Sequence, residues 1–503
     1  MPNNKKPNVL MIISDDHGFW AMGCAGNREV KTPNLDRIAA MGIRFTDFYC
    51  ASPVCSPARA SIFTGEIPSR HGIHDWLSRG YVDSDILSDE LKKAFDDPNA
   101  PWEYSWPRSQ LKDDRAIRFL DGHDTFTAHL ADAGYECALS GKWHLGGSAT
   151  PQAGFTYWKT IAMGGENYYY PVMLEDGIMQ LKHGEYVTDL ITDNALSYLD
   201  IRDQNRPFCL TVAYTAPHAP WAESHHPKKY IDMYRDCPFD SVPHETAHKY
   251  GDMRGMSGEK YENTSREYLT GYYAAITAMD DNIGRILDRL ESDGTLDDTL
   301  IIFTGDNGMC MGHHGIFGKG NGTFPVNMYD ESVKVPVLWA HKNGFEGGRV
   351  SGAVLSHLDI FPTLLDYLGI PFEKPAEMPG ESFKKVLCGG APAIRDVVAY
   401  DEYGPARMIR RGKYKYVHRY DAFEQKFPCE LYDMEADPGE RENLIDSADP
   451  DIIAVREGLR QRLFEWFDRY SSAQNDGAYQ RVCGIGQLGR VGNGTIENVF
   501  RQK

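Results

Sequence analysis

Asn8-Val9-Leu10-Met11-Ile12-Ile13-Ser14 runs directly into Asp15-Asp16-His17-Gly18. A continuous apolar run rich in β-branched residues and closed by polar residues is what a strand covered on both faces needs, so this stretch reads as a central strand of a parallel sheet. Pro207 to Tyr214 (PFCLTVAY) and Thr299 to Thr304 (TLIIFT) read the same way, and a shorter strand is expected over Tyr135 to Ser140. Helical periodicity falls between them, at Pro33 to Met41 with Gly42 as its C-cap, from Thr125 to Gly134, from Glu185 to Asp200 and from Arg266 to Leu290. Strand and helix in alternation predict an α/β fold, with a large mixed, mostly parallel sheet sandwiched by helices. A further strand over Val333 to Ala340 and a helix over Leu358 to Leu368 continue the pattern.

Four of these strands end in polar clusters: Asp15-Asp16, Lys142 with His144, His218, and Asp306-Asn307. Ligands bind outside the carboxyl ends of strands in open parallel sheets, so the four clusters should meet in one crevice. Asp15, Asp16, Asp306 and Asn307 offer hard oxygen ligands, which suit Ca²⁺, with Mg²⁺ as the alternative, better than zinc. Without a cation, carboxylates a few Å apart would repel by about 4 kcal/mol per pair at an effective dielectric of 20. Taken one at a time, each Asp or Asn exit is also an ordinary strand-to-loop cap.

Cys55-Ser56-Pro57-Ala58-Arg59 precedes an apolar run that leads to Thr64-Gly65. Proline is well suited to the first helical position, which places Cys55 at a helix N-terminus where free N–H groups favour anions. Arg59 would stand one turn further on with a fixed charge. Read alone, the same residues fit a buried thiol and a surface arginine. Lys142 and Lys319, each beside glycines, are cations able to hold an oxyanion, and His144 and His218 titrate near neutrality and could move protons.

The chain of 503 residues carries a net charge of −19, which argues against a nucleic-acid partner. Ten scattered cysteines without a CxxC pair form neither a disulfide framework nor a zinc signature. The polar start, the short apolar run that follows and the absence of a long apolar stretch lead to the expectation of a cytoplasmic protein without a membrane anchor. Residues 1–380 are expected to form the catalytic domain, interrupted by an irregular insertion at about 76–124. After Pro379-Gly380 the pattern shifts to paired strands and a helix from Ile452 to Tyr470, a smaller α+β domain over 381–503 with an antiparallel sheet. Residues 471–503 read as a tail that packs on a neighbour or hangs loose.

Cys55-x-Pro57-x-Arg59 with Thr64-Gly65, and Gly141-Lys142-Trp143-His144-Leu145-Gly146, resemble the two signatures of the type I sulfatases, formylglycine-dependent members of the alkaline-phosphatase-like superfamily. Asp15-Asp16 and Gly305-Asp306-Asn307-Gly308 fall in the matching order, so the resemblance spans roughly residues 8–445. It implies a sulfuric ester hydrolase. Cys55 would be oxidised to Cα-formylglycine by a formylglycine-generating or anaerobic sulfatase-maturing enzyme, and its hydrate would be the nucleophile. Asp15, Asp16, Asp306, Asn307 and the modified Cys55 would hold the cation. Arg59, Lys142 and Lys319 would serve the nucleophile and the sulfuryl oxygens, His218 would protonate the leaving oxygen, and His144 would be the base that releases sulfate.

The expected substrate is a small sulfated saccharide. Trp76, Trp102 and Trp106 of the insertion are candidates for the pocket mouth, because aromatic faces suit sugar rings, and local packing of the insertion is the competing reading. His74 and Asp75 are expected on a substrate-facing loop, with Arg407 near the cleft from the second domain. Alternatives are a phosphonate monoester or phosphodiester hydrolase of the same superfamily, and a sulfoglycan-binding protein whose Cys55 stays unmodified. A homo-oligomer is left open.

Overall fold

The structure is a computed structural model and describes residues 6–175, 177–251, 259–401, 406–420, 426–479, 486–492 and 499. In chain order its strands are β1 Asn8–Ser14, β2 Gly42–Tyr49, β3 Glu136–Gly141, β4 Phe155–Thr160, β5 Val172–Glu175, β6 Ile178–Leu181, β7 Phe208–Ala213 and β8 Thr299–Gly305. There follow the short β9 Cys310–Met311 and β10 Phe317–Gly318, then β11 Val337–Ala340, β12 Arg349–Ser356, β13 Val397–Asp401, β14 Ala406–Arg411, β15 Tyr414–Arg419 and β16 Glu430–Asp433.

Eight of them form the main sheet in the order β12-β2-β11-β8-β1-β7-β3-β4. β11 runs antiparallel to both its neighbours, and the other pairings are parallel. β1 shows why its sequence lacks alternation. Val9, Met11 and Ile13 enter the apolar core on one face of the sheet, while Leu10 and Ile12 enter the core on the other. Ile13 is level with Ala213 of β7 and Thr304 of β8, and Gly141 of β3 is level with Ala213. The four strands therefore stop at one height and deliver their exits to one place.

Several expectations are revised. The strand expected over Val333–Ala340 begins only at Val337, because Asp330–Val333 forms a helical turn that Pro336 separates from the sheet. β2, β4 and β12 are edge or near-edge strands with half-polar faces, and an apolar-run criterion passes over them. Gly42 does end the Pro33–Met41 helix, but with φ −145° rather than in the left-handed region, and it opens β2. A Cβ there would lie 2.1 Å from the Trp339 carbonyl oxygen of β11, so close strand approach demands the glycine. Pro57 is the third residue of its helix, not the first.

The 76–124 insertion is not structureless. It contains helices Asp89–Asp96, capped by Ser88, and Ser105–Leu111, and Asp114 accepts the backbone N–H groups of Gly80, Tyr81 and Val82 at 3.0, 2.8 and 3.2 Å.

The second sheet has the order β13-β14-β15-β16, all antiparallel. Ile409, Tyr416 and Leu431 pack against Leu459, Leu463 and Phe467 of the Pro450–Tyr470 helix, whereas Val397, Ala399, Met408 and Val417 join the core of the main sheet. The tail is anything but loose over its described residues: Gln487 is completely buried. No described helix is long and apolar enough to cross a membrane.

Candidate active site

Asp15 and Asp16 leave β1 in a turn that Asp16 completes with φ 58°, a left-handed conformation that costs energy for a residue with a Cβ. Tyr272, on the long Glu259–Ser292 helix, holds this turn: its hydroxyl donates to the Asp16 carbonyl and accepts from Gly18 N–H, both at 2.9 Å. Asp16 N–H donates to Asp306 Oδ1 at 3.2 Å, and Asp306 N–H to the Ser14 carbonyl at 3.0 Å, so the ends of β1 and β8 are stitched to each other. One carboxylate oxygen from each of Asp15, Asp16 and Asp306 lies within 4.8 Å of the others.

Three cations answer this concentration of charge. Lys142 Nζ meets Asp15 Oδ2 at 2.5 Å, Arg59 Nε meets Asp306 Oδ2 at 2.9 Å, and Lys319 Nζ bonds Asp16 Oδ1. Burial alone would raise the Asp16 and Asp306 carboxyls, but Lys319 with His218 holds the first well below the usual carboxylate range, and Arg59 with Lys142 lowers the second. Asp15 goes the other way, raised by burial and by Asp306 beyond what Lys142 offsets. Lys319 itself is shifted upward, because Asp16 together with Cys55, Asp15 and Asp306 outweighs the burial penalty on the ammonium.

Two buried oxygens in this cluster, Asp15 Oδ1 and Asn307 Oδ1, have no hydrogen-bond partner. Buried polar atoms are almost always satisfied, so two orphan oxygens beside three carboxylates describe a cradle for a hard cation. The donor set fits Ca²⁺ or Mg²⁺ on this ground.

Cys55 is the first residue of the Cys55–Thr64 helix, all ten residues of which are buried. Lys319 Nζ donates to its Sγ at 2.8 Å. Burial pushes the thiol up to about 12 despite Lys142 and Lys319, so the encoded cysteine stays protonated and is a poor nucleophile. Arg59, one turn on, also donates from Nη1 to the Lys142 carbonyl at 3.0 Å and keeps Nη2 unpartnered.

His144 has φ 57°, and its Nε2–H donates to the Leu77 carbonyl at 3.1 Å. A carbonyl only accepts, so this bond fixes the proton on Nε2 and leaves the lone pair of Nδ1 free, and Nδ1 has no partner. Burial first, then Lys142, lowers this ring far below its ordinary value and keeps it neutral. Gly164 makes room: a Cβ there would stand 1.9 Å from His144 Nε2. His218 Nε2 lies 3.7 Å from Asp16 Oδ2, with its side chain 29% exposed and Nδ1 donating to the Ala219 carbonyl at 2.6 Å.

Ten residues singled out from the sequence (Asp15, Asp16, Cys55, Arg59, Lys142, His144, His218, Asp306, Asn307 and Lys319) thus come together, but the candidate substrate contacts do not all join them. Trp76 packs beside Val54 and Val326, next to Cys55. Trp102 and Trp106 are 64% and 47% exposed, and among the described residues no ring contact or hydrogen bond ties them to the site. His74 and Asp75, expected to face substrate, are fully buried and engaged by the C-terminal segment, with His74 Nε2 donating to the Asn475 carbonyl at 2.7 Å. Arg407 is also withdrawn, pairing with Asp476 at 2.6 Å and lying 3.7 Å over the Phe467 ring. Nothing in the sequence marks Tyr272, Leu77 or Gln487: a backbone carbonyl leaves no signature, and the two side chains act across hundreds of residues. The Gly164-Gly165 doublet was a signal that could have been used.

Strand exits bearing carboxylates, a helix N-terminus bearing Cys55 and three buried cations define a hydrolase-type site for an anionic ester at the carboxyl ends of the central strands of a mostly parallel sheet. A model of the sulfatase family matches residues 7–370, and one for the C-terminal part of N-sulphoglucosamine sulphohydrolase matches residues 312–468. The chain belongs to the sulfatase family.

It is 30% identical to an N-acetylglucosamine-6-O-sulfatase of Bacteroides thetaiotaomicron, over 94% of this chain and 88% of that protein. It is 28% identical to a choline-sulfatase of Rhizobium meliloti, over 88% and 83%. A solved chain in complex with its substrate D-glucosamine-2-N,6-O-disulfate superposes with a TM-score of 0.71 at 27% identity, over 93% of this chain and 98% of that one. The phosphonate monoester hydrolase of Agrobacterium radiobacter shares the fold, with a TM-score of 0.67 at 22% identity.

Proposed function

We propose that this sulfatase removes a sulfate group from a small sulfated carbohydrate, with Cys55 acting after its oxidation to formylglycine by a maturation enzyme. The observation that carries the reading is the meeting of Cys55, three buried cations and two orphan oxygens at one point. When present, the divalent cation supplies positive charge, and the hydrated aldehyde at position 55 supplies the attacking oxygen. Asp15, Asp16, Asp306 and Asn307 would hold the cation.

Lys319, which touches Cys55 Sγ, and Lys142, whose charge also acts on that thiol, would bind the sulfuryl oxygens, where charge builds in the transition state and fixed donors help most, and Arg59 would favour the ionised nucleophile. Burial excludes water from this shell and strengthens each of these interactions. His218, partly exposed beside Asp16, would donate a proton to the departing oxygen. His144, with its proton held on Nε2, presents the Nδ1 lone pair and would take the proton released once the leaving group has gone. The carbohydrate assignment draws support from relatives named for N-acetylglucosamine 6-sulfates and from the disulfated glucosamine complex.

The test is sulfate release by the matured protein from glucosamine and N-acetylglucosamine 6-sulfates, choline sulfate, an aryl sulfate and an aryl phosphonate ester. The proposal expects the 6-sulfated sugars to be turned over with the highest kcat/KM. Faster turnover of the phosphonate ester than of every sulfate would replace it with a phosphonate hydrolase.

A further inference from the structure

We propose that the C-terminal segment is a strap that positions His144, with Gln487 as its positioning residue. This rests on the role given to His144 above. Gln487 has no exposed surface, and every polar group it has is used. Its Oε1 accepts from His74 N–H at 2.8 Å, and its Nε2 donates to the Gly72 carbonyl at 3.0 Å and the Gly489 carbonyl at 2.8 Å. Its backbone accepts from Ser78 N–H at 3.0 Å and donates to the Trp76 carbonyl at 2.9 Å, which pairs it with Leu77 like two strand residues. Gly486 N–H adds a bond to Asp75 Oδ2 at 3.0 Å.

A second clasp lies upstream. Ser472 N–H donates to the Ser69 carbonyl at 2.8 Å, Asn475 Nδ2 to the Arg70 carbonyl at 2.6 Å, and Gly477 N–H to Ser69 Oγ at 3.0 Å. Segments more than 390 residues apart in sequence thus grip the 69–78 loop from both ends. Such a concentration of hydrogen bonds, centred on the buried and fully paired Gln487, fixes one geometry.

What the grip delivers is the Leu77 carbonyl. It accepts from His144 Nε2 and from the Tyr81 hydroxyl, while Leu77 N–H is anchored to Ser56 Oγ, beside Cys55, at 3.1 Å. With the carbonyl in place the His144 proton stays on Nε2 and Nδ1 keeps its lone pair as an acceptor. With it displaced, the ring is free to turn or to change tautomer.

The experiment compares wild type with Gln487→Leu, which keeps the bulk and removes the amide, and with Arg490→Ala, a change in the same tail at a half-buried residue bonded instead to the Arg118 carbonyl. Hydrogen exchange of the peptide spanning 72–82 is measured on the protein with unmodified Cys55, independently of activity. Gln487→Leu should speed that exchange at least tenfold, and Arg490→Ala should leave it unchanged. In matured protein acting on an aryl sulfate, Gln487→Leu should lower kcat about tenfold with kcat/KM within twofold of wild type, because His144 acts after leaving-group departure. Unchanged exchange overturns the strap, and an equal fall in kcat and kcat/KM, or no fall in kcat, overturns its action through His144. A wild type that carries formylglycine yet releases sulfate from none of the sulfate esters named above refutes the functional reading instead, leaving the exchange result to decide the strap.

Discussion

Replacing Lys415 by Met should be among the most damaging single changes in this protein, although the residue is far from the site in sequence. Lys415, on β15 of the second sheet, has a completely buried side chain, and its ammonium lies 2.9 Å from Asp330 Oδ1 and 2.8 Å from Glu440 Oε1. Asp330 opens the helical turn before β11 of the main sheet, so the group joins the two sheets. At 2.9 Å and an effective dielectric of 20, the Lys415–Asp330 ion pair is worth about 6 kcal/mol before desolvation. Methionine removes the desolvation cost of the ammonium but strands two acidic groups in the interior, and breaking a buried pair from one side typically costs about 3–5 kcal/mol.

The sign of the pH dependence follows from the same residues. In the wild type burial would raise Asp330, but Lys415 and Lys334 hold it at about 2, so its contribution is present above the unfolded carboxylate range and lost only as pH falls through 2. Burial pushes the Glu440 carboxyl up to about 8, with Lys415 pulling it down and Asp330 opposing. Without Lys415 both carboxyls would titrate above their unfolded values, so the variant loses stability as pH rises through neutrality. Urea denaturation followed by tryptophan fluorescence should show a deficit of about 3–5 kcal/mol at pH 7.5 that shrinks at pH 5. Adding Asp330→Asn should recover part of it. A deficit below about 1 kcal/mol at pH 7.5, or one that grows toward acid, would refute the reasoning.

Other consequences can be checked at the site itself. His144→Gln should lower kcat about 10²–10⁴-fold while leaving the folded protein as stable as wild type in the same denaturation assay. In protein with unmodified Cys55, the raised thiol predicts that iodoacetamide at pH 8 leaves Cys55 untouched and labels the exposed Cys388, as peptide mass spectrometry would show. Calcium should raise the melting temperature of wild type, with stabilisation of about 2.7 kcal/mol at a hundred times the dissociation constant, and Asp306→Asn should abolish most of that shift. Gly42→Ala should cost about 1–3 kcal/mol by forcing β2 from β11, measurable by urea denaturation.

The sequence disclosed the parts of this molecule whose causes are local. β1 was legible because burial on both faces demands an unbroken apolar run, and the polar residues that end β1, β3, β7 and β8 could be assigned to one crevice because the sheet is parallel. β2 and β12 escaped because their outward faces carry residues such as Arg44, Asp47 and Ser351, which blur the apolar run. His74, Asp75 and Arg407 were misplaced for a different reason. His74 and Asp75 sit among loop residues and Arg407 in a strand near the expected cleft, and only the fold shows that Asn475, Asp476 and Gln487 cover them. The tautomer of His144 lay beyond any reading of residue types, since a backbone carbonyl at Leu77 decides it.

The central claim is that Cys55 is the precursor of the nucleophile rather than the nucleophile. Its most direct test is to prepare the protein with graded fractions of formylglycine at position 55, quantified by mass spectrometry of the Cys55 peptide, and to measure sulfate released from N-acetylglucosamine 6-sulfate by each preparation. The account predicts turnover proportional to the formylglycine fraction and extrapolating to zero for the unmodified thiol. Equal turnover by protein that retains Cys55 as cysteine would contradict it.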